Sequence, residues 1–156
     1  MRSVVIIGAS EPLGRAALAV ISRHRSEFMV DGLLDHGQDS RWLAEQVEQF
    51  TPLLLGITDE YAVVGFHGER DDLRLDAGLF DWEVADLDVV AGPQAVTEVA
   101  GMPAEVVVIA LTGDLGESAA RVARQGTAEL VLTATELPTV DEQGLEARLV
   151  STLGSA

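Results

Sequence analysis

Hydrophobic residues occur along the chain either in short continuous runs or at intervals of three and four. The continuous runs predict buried strands, and the spaced runs predict helices that cover them. Strands are predicted at about 4–7, 29–34, 53–57, 88–91, 106–111 and 130–132, and helices at 12–24, 40–50, 94–100, 113–125 and from 141 onward. Because strands and helices alternate, the pattern indicates an α/β fold, a doubly wound and mostly parallel Rossmann-like sheet.

Residues 59–87 have the least regular pattern. Gly65 and Gly68 interrupt an apolar stretch, and a charged stretch follows at 69–76. One or two short helices are expected there. The chain has no internal repeat, low-complexity tract or linker, so residues 1–156 are predicted to form one domain.

The first 35 residues have the order of a dinucleotide-binding unit. An apolar strand leads into Gly8 and Gly14, a helix follows, and a second strand ends at Asp35. In such folds the glycines allow a tight turn under the ligand's pyrophosphate, which lies at the helix N-terminus. Asp35 is 21 residues past Gly14, the spacing at which an acid binds the ribose hydroxyls of NAD. A strand-end acid in solvent is the alternative interpretation of Asp35.

Glu11 and Pro12 depart from this pattern. Glu11 places a negative charge where a glycine usually lets the pyrophosphate approach. Two unit charges 4 Å apart repel by about 4 kcal/mol at an effective dielectric constant of roughly 20, an upper value of about a thousandfold in affinity. Pro12 removes one backbone N–H. As purely structural residues, both suit a first helical turn, and the Glu11 carboxylate can itself occupy the anion site.

Composition narrows the classes of function. The chain has 26 acidic and 10 basic residues, for a net charge of −16. Such a domain repels nucleic acids and anionic membranes, so the acidity serves solubility or a basic protein partner. The absence of cysteine excludes disulfides, thiolate metal sites and cysteine nucleophiles. No apolar run approaches the roughly 20 residues of a membrane span, and with no export signal visible a cytoplasmic protein is expected.

Several segments match motifs of one enzyme family. Gly8-Ala-Ser-Glu-Pro-Leu-Gly14 corresponds to its G-S-T-G-S-I-G loop, and Leu43-Ala-Glu-Gln46 with Phe50-Thr-Pro52 corresponds to its L-A-E-Q and F-x-P motifs. Over residues 1–140 the chain therefore resembles the N-terminal NADPH-binding domain of 1-deoxy-D-xylulose 5-phosphate reductoisomerase. The resemblance implies a homologue of this isoprenoid-pathway enzyme.

The chain differs from this family at two further motifs. The family holds the 2′-phosphate of NADPH with a G-K/R-N turn, which here is Gly37-Gln38-Asp39, so that NAD(H) is expected in preference to NADP(H) if any dinucleotide binds. The family's N-K-E-S motif falls at 134–137, where only Glu136 is retained. The family's metal-binding acids lie in a catalytic domain beyond this point. The resemblance therefore implies no metal site here and argues against reductoisomerase activity by this chain alone.

Candidate site residues lie at the predicted carboxyl ends of the strands. Candidate cofactor-binding residues are Gly8, Ser10, Glu11, Leu13, Gly14, Asp35, Gly37, Gln38 and Gly113. Glu11, Asp114 and Glu136 are weak catalytic candidates, because acids converging at this edge can serve acid–base chemistry, although solvated acids give the same pattern. His24, His36 and His67 are scattered and predict surface residues rather than metal ligands.

Three hypotheses of function remain. The first is a non-catalytic binding or partner module that requires no cofactor. The second is an NAD(H)-binding sensor, or a subunit that works with a separate catalytic chain. The third is a small enzyme of new chemistry in the same crevice. The apolar face of the final helix is expected to dock on its own sheet, and a second copy or a partner protein is the alternative.

Overall fold

A parallel sheet forms the centre of the molecule. The computed structural model describes residues 1–79, 87–137 and 141–153. Its strands in these ranges are β1 (Arg2–Ile7), β2 (Phe28–Asp35), β3 (Leu54–Ile57), β4 (Asp88–Ala91), β5 (Val106–Ile109) and β6 (Leu130–Thr133). They pair in the order β4-β3-β2-β1-β5-β6, and every pair is parallel.

Helices cover both faces of this sheet. They are α1 (Pro12–Ser22), α2 (Ser40–Phe50), α3 (Val63–Asp76), α4 (Ala95–Ala100), α5 (Gly113–Gln125) and α6 (Glu142–Ser151), with a 3-10 turn at Glu60–Ala62. Val4 and Ile6 of β1 pack with α1, α2 and α6, whereas Val5 and Ile7 pack with α4 and α5. Both faces of the strand are thus buried, which explains its continuous hydrophobic run. The expected doubly wound, Rossmann-like fold is confirmed.

The region after β3 differs from the expectation of short helices. It contains the 3-10 turn and then α3, which is 14 residues long. Gly65 does not end this helix, because it packs against α2: a Cβ there would lie 3.0 Å from Ser40 Oγ. The expectation for residues 80–86 lies outside the described residues.

The helix ends follow local rules. Asp39 begins α2 by accepting a hydrogen bond from Trp42 N at 3.0 Å, and Thr51 ends the helix in a left-handed conformation with φ 46°. In α6, Leu145 and Leu149 are buried against the core shared with α1. The final helix thus docks within its own chain, as expected, but it packs mainly against α1 rather than directly on the sheet. In the described ranges, no helix combines the length and apolar character required to cross a bilayer.

The topology fixes where a ligand would lie. β1 and β5 are neighbours in the sheet, and the helices that follow them, α1 and α5, pack on opposite faces. Such a switch point opens a crevice at the carboxyl ends of the two strands, which is where ligands of open α/β sheets bind. The loops after β1, β2 and β5 border this crevice.

Candidate functional site

The loop after β1 has the tight turn that its glycines predict. Gly8 has φ +93°, and its N–H donates to the carbonyl oxygen of Leu34 at 2.8 Å. A Cβ on Gly8 would lie 3.1 Å from Leu111 of the neighbouring strand end. A larger residue would therefore meet both backbone strain and a close contact.

Gly14 allows α1 to cross directly over this loop. A Cβ at Gly14 would lie 2.2 Å from the carbonyl oxygen of Gly8 and 2.7 Å from that of Ala9. These contacts are with backbone, which cannot move aside without shifting the loop. Gly14 thus has the role of the last fingerprint glycine, which is close packing of helix and strand.

Glu11 lies at the N-cap of α1, and Pro12 occupies the first helical turn. The Glu11 side chain makes no capping hydrogen bond. In the described part of the chain, the N–H groups of Leu13 and Gly14 also have no acceptor. Two backbone donors therefore remain at the start of α1, with the negative charge of Glu11 beside them.

Asp35 is buried, with only 2% of its surface exposed. Its Oδ1 accepts a hydrogen bond from Ser10 N at 3.0 Å, and its Oδ2 accepts one from Gly37 N at 3.1 Å. The interpretation of Asp35 as a solvated strand-end acid is wrong, because the two loops close over its carboxylate. Asp35 joins the loop after β1 to the turn after β2.

The turn after β2 carries no positive charge. Gly37 has φ +89°, and a Cβ there would lie 2.7 Å from Ala62 Cβ. Gln38 is exposed, and the Asp39 carboxylate caps α2. The turn is thus built for packing and capping, with no cation at the position that the resemblance assigns to a 2′-phosphate.

Arg15 is a cation beside the loop that sequence reasoning missed. Its Nε donates to the carbonyl oxygen of Ser10 at 2.8 Å, and its guanidinium lies 4.2 Å from the centre of the Trp42 ring. The only sequence signal was an arginine directly after Gly14. Arg15 therefore bridges the loop after β1, through Ser10, and α2, through the ring of Trp42.

An open cleft lies beyond the second turn. It has a volume of about 440 Å³ and is lined by His36, Gln38, Thr58, Asp59, Pro93 and Leu115. His36 Nδ1 lies 2.6 Å from Thr58 Oγ1, which fixes the ring at the ends of β2 and β3. The cleft therefore has room for a nucleoside-sized group.

A smaller cleft of about 180 Å³ lies between α5 and the ends of β5 and β6. Gly113, with φ +71°, lines it together with Thr112 and Thr135. Glu136 pairs with Arg124 at 3.3 Å, and the exposed Asp114 has no hydrogen bond or ion pair in the described ranges. No hydrogen bond joins these two acids in the described ranges, so their catalytic role stays a prediction.

His24 lies far from the crevice, between α1 and α6. Its Nε2 is 2.8 Å from Glu146 Oε1, and its Nδ1 is 2.9 Å from Glu27 Oε2. Hydrogen bonds to Glu146 and Glu27 raise the pKa of His24, and those from His24 and Arg23 lower the pKa of Glu146. His24 is thus part of an ion cluster rather than a simple surface residue. The described residues contain no group of three or more histidine, aspartate or glutamate side chains able to hold a metal.

A further cleft lies at the opposite edge of the sheet. Its volume is about 630 Å³, and Arg2 lines it while pairing with Glu105 at 3.0 Å and with Glu129 at 2.9 Å. This is the amino edge of the strands, whereas ligands of such folds bind at the carboxyl edge. The arginine pairs here hold β1 to neighbouring loops.

Comparison with known proteins identifies one family. The family model described as 1-deoxy-D-xylulose 5-phosphate reductoisomerase matches residues 4–137. The reductoisomerase of Cutibacterium acnes is 34% identical over 116 residues, which cover 74% of this chain and 28% of that protein. That of Bifidobacterium longum is 31% identical over 134 residues, which cover 86% of this chain and 32% of that protein. The chain thus spans about a third of the length of these relatives.

Solved structures give the same fold. A crystal structure of DOX-P reductoisomerase in complex with magnesium has a TM-score of 0.64 and 22% identity, covering 85% of this chain and 30% of that one. The enzyme from Zymomonas mobilis in complex with NADPH has a TM-score of 0.61 and 23% identity, covering 78% and 29%. These likenesses show a shared Rossmann-like domain.

Proposed function

Because the chain belongs to the 1-deoxy-D-xylulose 5-phosphate reductoisomerase family, we propose that it uses the family's dinucleotide-binding scaffold as a non-catalytic binding module. In this role it has little or no affinity for NADPH. The main support is the buried carboxylate of Asp35, which already accepts hydrogen bonds from Ser10 N and Gly37 N. The carboxylate of Asp35 thus holds the loop after β1 to the turn after β2.

The charges around the loop support the same proposal. The pyrophosphate of a dinucleotide would meet Glu11 at the start of α1, and this carboxylate has no partner in the described ranges that would neutralise it. Pro12 supplies no N–H. The nearby cation Arg15 is already bound to the Ser10 carbonyl and stacked on Trp42. While Nε holds the Ser10 carbonyl, only the other guanidinium N–H groups of Arg15 remain to pair with an anion.

The turn after β2 supports a loss of NADP specificity. A 2′-phosphate needs an arginine or lysine within hydrogen-bond reach. Gln38 is neutral. Asp39 is acidic, and its carboxylate already accepts a hydrogen bond at the N-terminus of α2. NADPH therefore does not fit the residues at either of its two phosphate positions.

The open cleft around His36 favours a second candidate, an NAD(H)-binding sensor or subunit. Its volume of about 440 Å³ leaves room for an adenosine group. The N–H groups of Leu13 and Gly14, which have no acceptor among the described residues, would be its phosphate donors. This candidate requires Asp35 to share its carboxylate with ribose hydroxyls while it still holds the two loops.

Equilibrium dialysis of the wild-type protein against NADPH, NADH and AMP distinguishes these proposals. The binding-module proposal expects no retention of any of the three at millimolar concentration. Retention of NADH or AMP without NADPH would replace it with the NAD(H) candidate. Micromolar retention of NADPH would contradict both.

A further inference from the structure

The exposed side of α3 and of the 3-10 turn before it carries three large apolar side chains. Tyr61, Val64 and Leu75 are 86%, 80% and 62% exposed. Together with Gly68 they follow one another at intervals of three, four and seven residues. This spacing places Val64, Gly68 and Leu75 along one side of α3, and Tyr61 lies in the 3-10 turn just before it. These four residues are called the outer stripe of α3. Asp71 and Asp72 lie on the same side, between Gly68 and Leu75.

Gly68 has no packing role among the residues that the structure describes. A Cβ added there would meet no atom within 4 Å, although the residue lies in the middle of a 14-residue helix. Glycine is unfavourable in an exposed helix interior, and it is useful where another backbone must approach closely. The outer stripe therefore has a small residue among large apolar ones, which leaves space for the close approach of a second helix.

Charge around the stripe has a single sign. Glu60, Asp71, Asp72 and Asp76 are exposed, and none has a hydrogen bond or ion pair in the described part of the chain. The arginines of the same helix, at positions 70 and 74, are turned inward and both pair with Glu48 of α2 at 2.9 Å.

Two of these acids also destabilise the helix to which they belong. Asp72 and Asp76 lie near the C-terminus of α3, where the helix dipole disfavours negative charge. A face that breaks local rules of helix stability in two ways, through its glycine and through its acids, is typical of a functional surface.

We propose that the outer stripe of α3 binds a basic amphipathic helix of a partner protein. Its apolar residues would pack on Tyr61, Val64 and Leu75, its backbone would approach Gly68, and flanking arginine or lysine residues would pair with the free acids. A second copy of this chain would bring the same acids face to face, which disfavours self-association. This inference rests on the binding-module role, but not on the loss of NADPH affinity, because the outer stripe does not line the His36 cleft.

A labelled peptide tests the proposal by fluorescence anisotropy. The probe has roughly 18 residues, long enough to become helical, with leucine at intervals of three and four and arginine or lysine elsewhere. A scrambled peptide of the same composition is its control. The wild-type protein is expected to bind the amphipathic peptide at least about tenfold more tightly than the scrambled one.

Variants then locate the binding surface. Val64→Ser and Gly68→Gln are each expected to weaken binding about tenfold. Leu53→Ser is the matched control, because Leu53 is 58% exposed but lies outside the stripe, and it is expected to bind as the wild type does. Circular dichroism verifies that each variant is folded.

Three outcomes would overturn the proposal. These are equal affinity for both peptides, an equal loss in Leu53→Ser, and a wild-type dimer in sedimentation that Val64→Ser converts to a monomer. NADPH retention by the same preparation would contradict the proposed function and leave the outer stripe untouched, so the two failures are distinguishable.

Discussion

Asp35 connects two loops that lie far apart in sequence. Its carboxylate accepts one hydrogen bond from Ser10 N and another from Gly37 N, in a site with 2% exposure. A buried carboxylate is tolerated only when hydrogen-bonded, and bonds to a charged group contribute more than neutral ones. Asp35 therefore acts first as a structural residue, whatever binds above it.

Replacing Asp35 with alanine is expected to lower the free energy of unfolding by about 2–4 kcal/mol, because a buried and a partly buried N–H group lose their carboxylate acceptor. Urea denaturation measures the change. Asp114→Ala is the control, because this exposed acid has no bond in the described ranges, and its effect is expected within about 0.5 kcal/mol. Equal effects of the two variants would show that the Asp35 bonds contribute nothing.

Two glycine-to-alanine changes are expected to have opposite signs. Gly14→Ala places a Cβ 2.2 Å from a backbone oxygen, so it should lower the free energy of unfolding by about 2 kcal/mol or more. Gly68→Ala places a Cβ in open space, so it should raise that free energy by about 0.5–1 kcal/mol. Thermal and urea unfolding of both proteins give the comparison. A stabilised Gly14→Ala protein would contradict the close packing of α1 on its loop.

At the residue scale, the positions of the site were predictable but its bonds were not. Gly8 and Gly14 were predicted because a turn at positive φ and a close helix crossing demand glycine. The burial of Asp35 was not, because spacing marks a strand end without showing which N–H groups reach it. Arg15 was missed for the same reason: its partners, Ser10 and Trp42, depend on how α1 and α2 pack.

At the scale of elements, an ion cluster fastens α6 to α1. His24 lies between Glu27 and Glu146, and Arg23 pairs with Glu146 at 3.1 Å and with Glu142 at 3.6 Å. The cluster lies at the edge of the apolar contact made by Leu145 and Leu149. It therefore adds a pH-dependent component to the docking of the last helix.

The sign of this dependence follows from the two pKa shifts. Hydrogen bonds to Glu146 and Glu27 raise the pKa of His24 above 6.5. The contribution of His24 to the free energy of unfolding is therefore complete below pH 6.5 and is lost as the pH rises through its folded-state pKa. Hydrogen bonds from His24 and Arg23 lower the pKa of Glu146 below 4.5. The contribution of Glu146 to the free energy of unfolding is therefore present above pH 4.5 and is lost as the pH falls through its folded-state pKa. The cluster is strongest between these limits.

His24→Gln should remove the dependence above neutral pH. The difference in urea midpoint between wild type and His24→Gln is expected to be larger at about pH 6 than at about pH 9. His67→Gln is the matched control, because His67 is exposed and lies on α3. A constant difference for His24→Gln across this range would show that its protonation does not support α6.

Element boundaries were mostly predictable from sequence, and α3 shows where the prediction failed. The strands were recognised because burial on both faces demands continuous hydrophobic runs. For α3, Gly65 and Gly68 suggested interruption, yet the first packs against Ser40 and the second lies in open space. Contacts with α2, including those of Glu48, keep the helix continuous, and these tertiary contacts are not visible in a local pattern.

At the scale of the whole molecule, the fold matches that of the reductoisomerase family, whereas residues at the expected ligand contacts differ from the family's. The parallel sheet, the crevice and the two close-packed glycines are those of the reductoisomerase family's nucleotide-binding domain. At the positions where the resemblance implies contacts with the pyrophosphate and the 2′-phosphate, the chain has Glu11 and the turn of Gln38 and Asp39. Sequence located these differences, whereas the structure added that Asp39 and Asp35 are used internally.

Calorimetric titration of NADPH into the wild type and into a Glu11→Gly, Gln38→Arg variant shows whether these two residues prevent dinucleotide binding. Glycine is tolerated at a helix N-cap, and Gln38 is exposed, so the variant should fold. Restoring a glycine at the pyrophosphate and a cation at the 2′-phosphate should create measurable NADPH binding, while wild type gives no binding heat up to about 1 mM. Micromolar binding of NADPH by the wild-type protein would contradict the account.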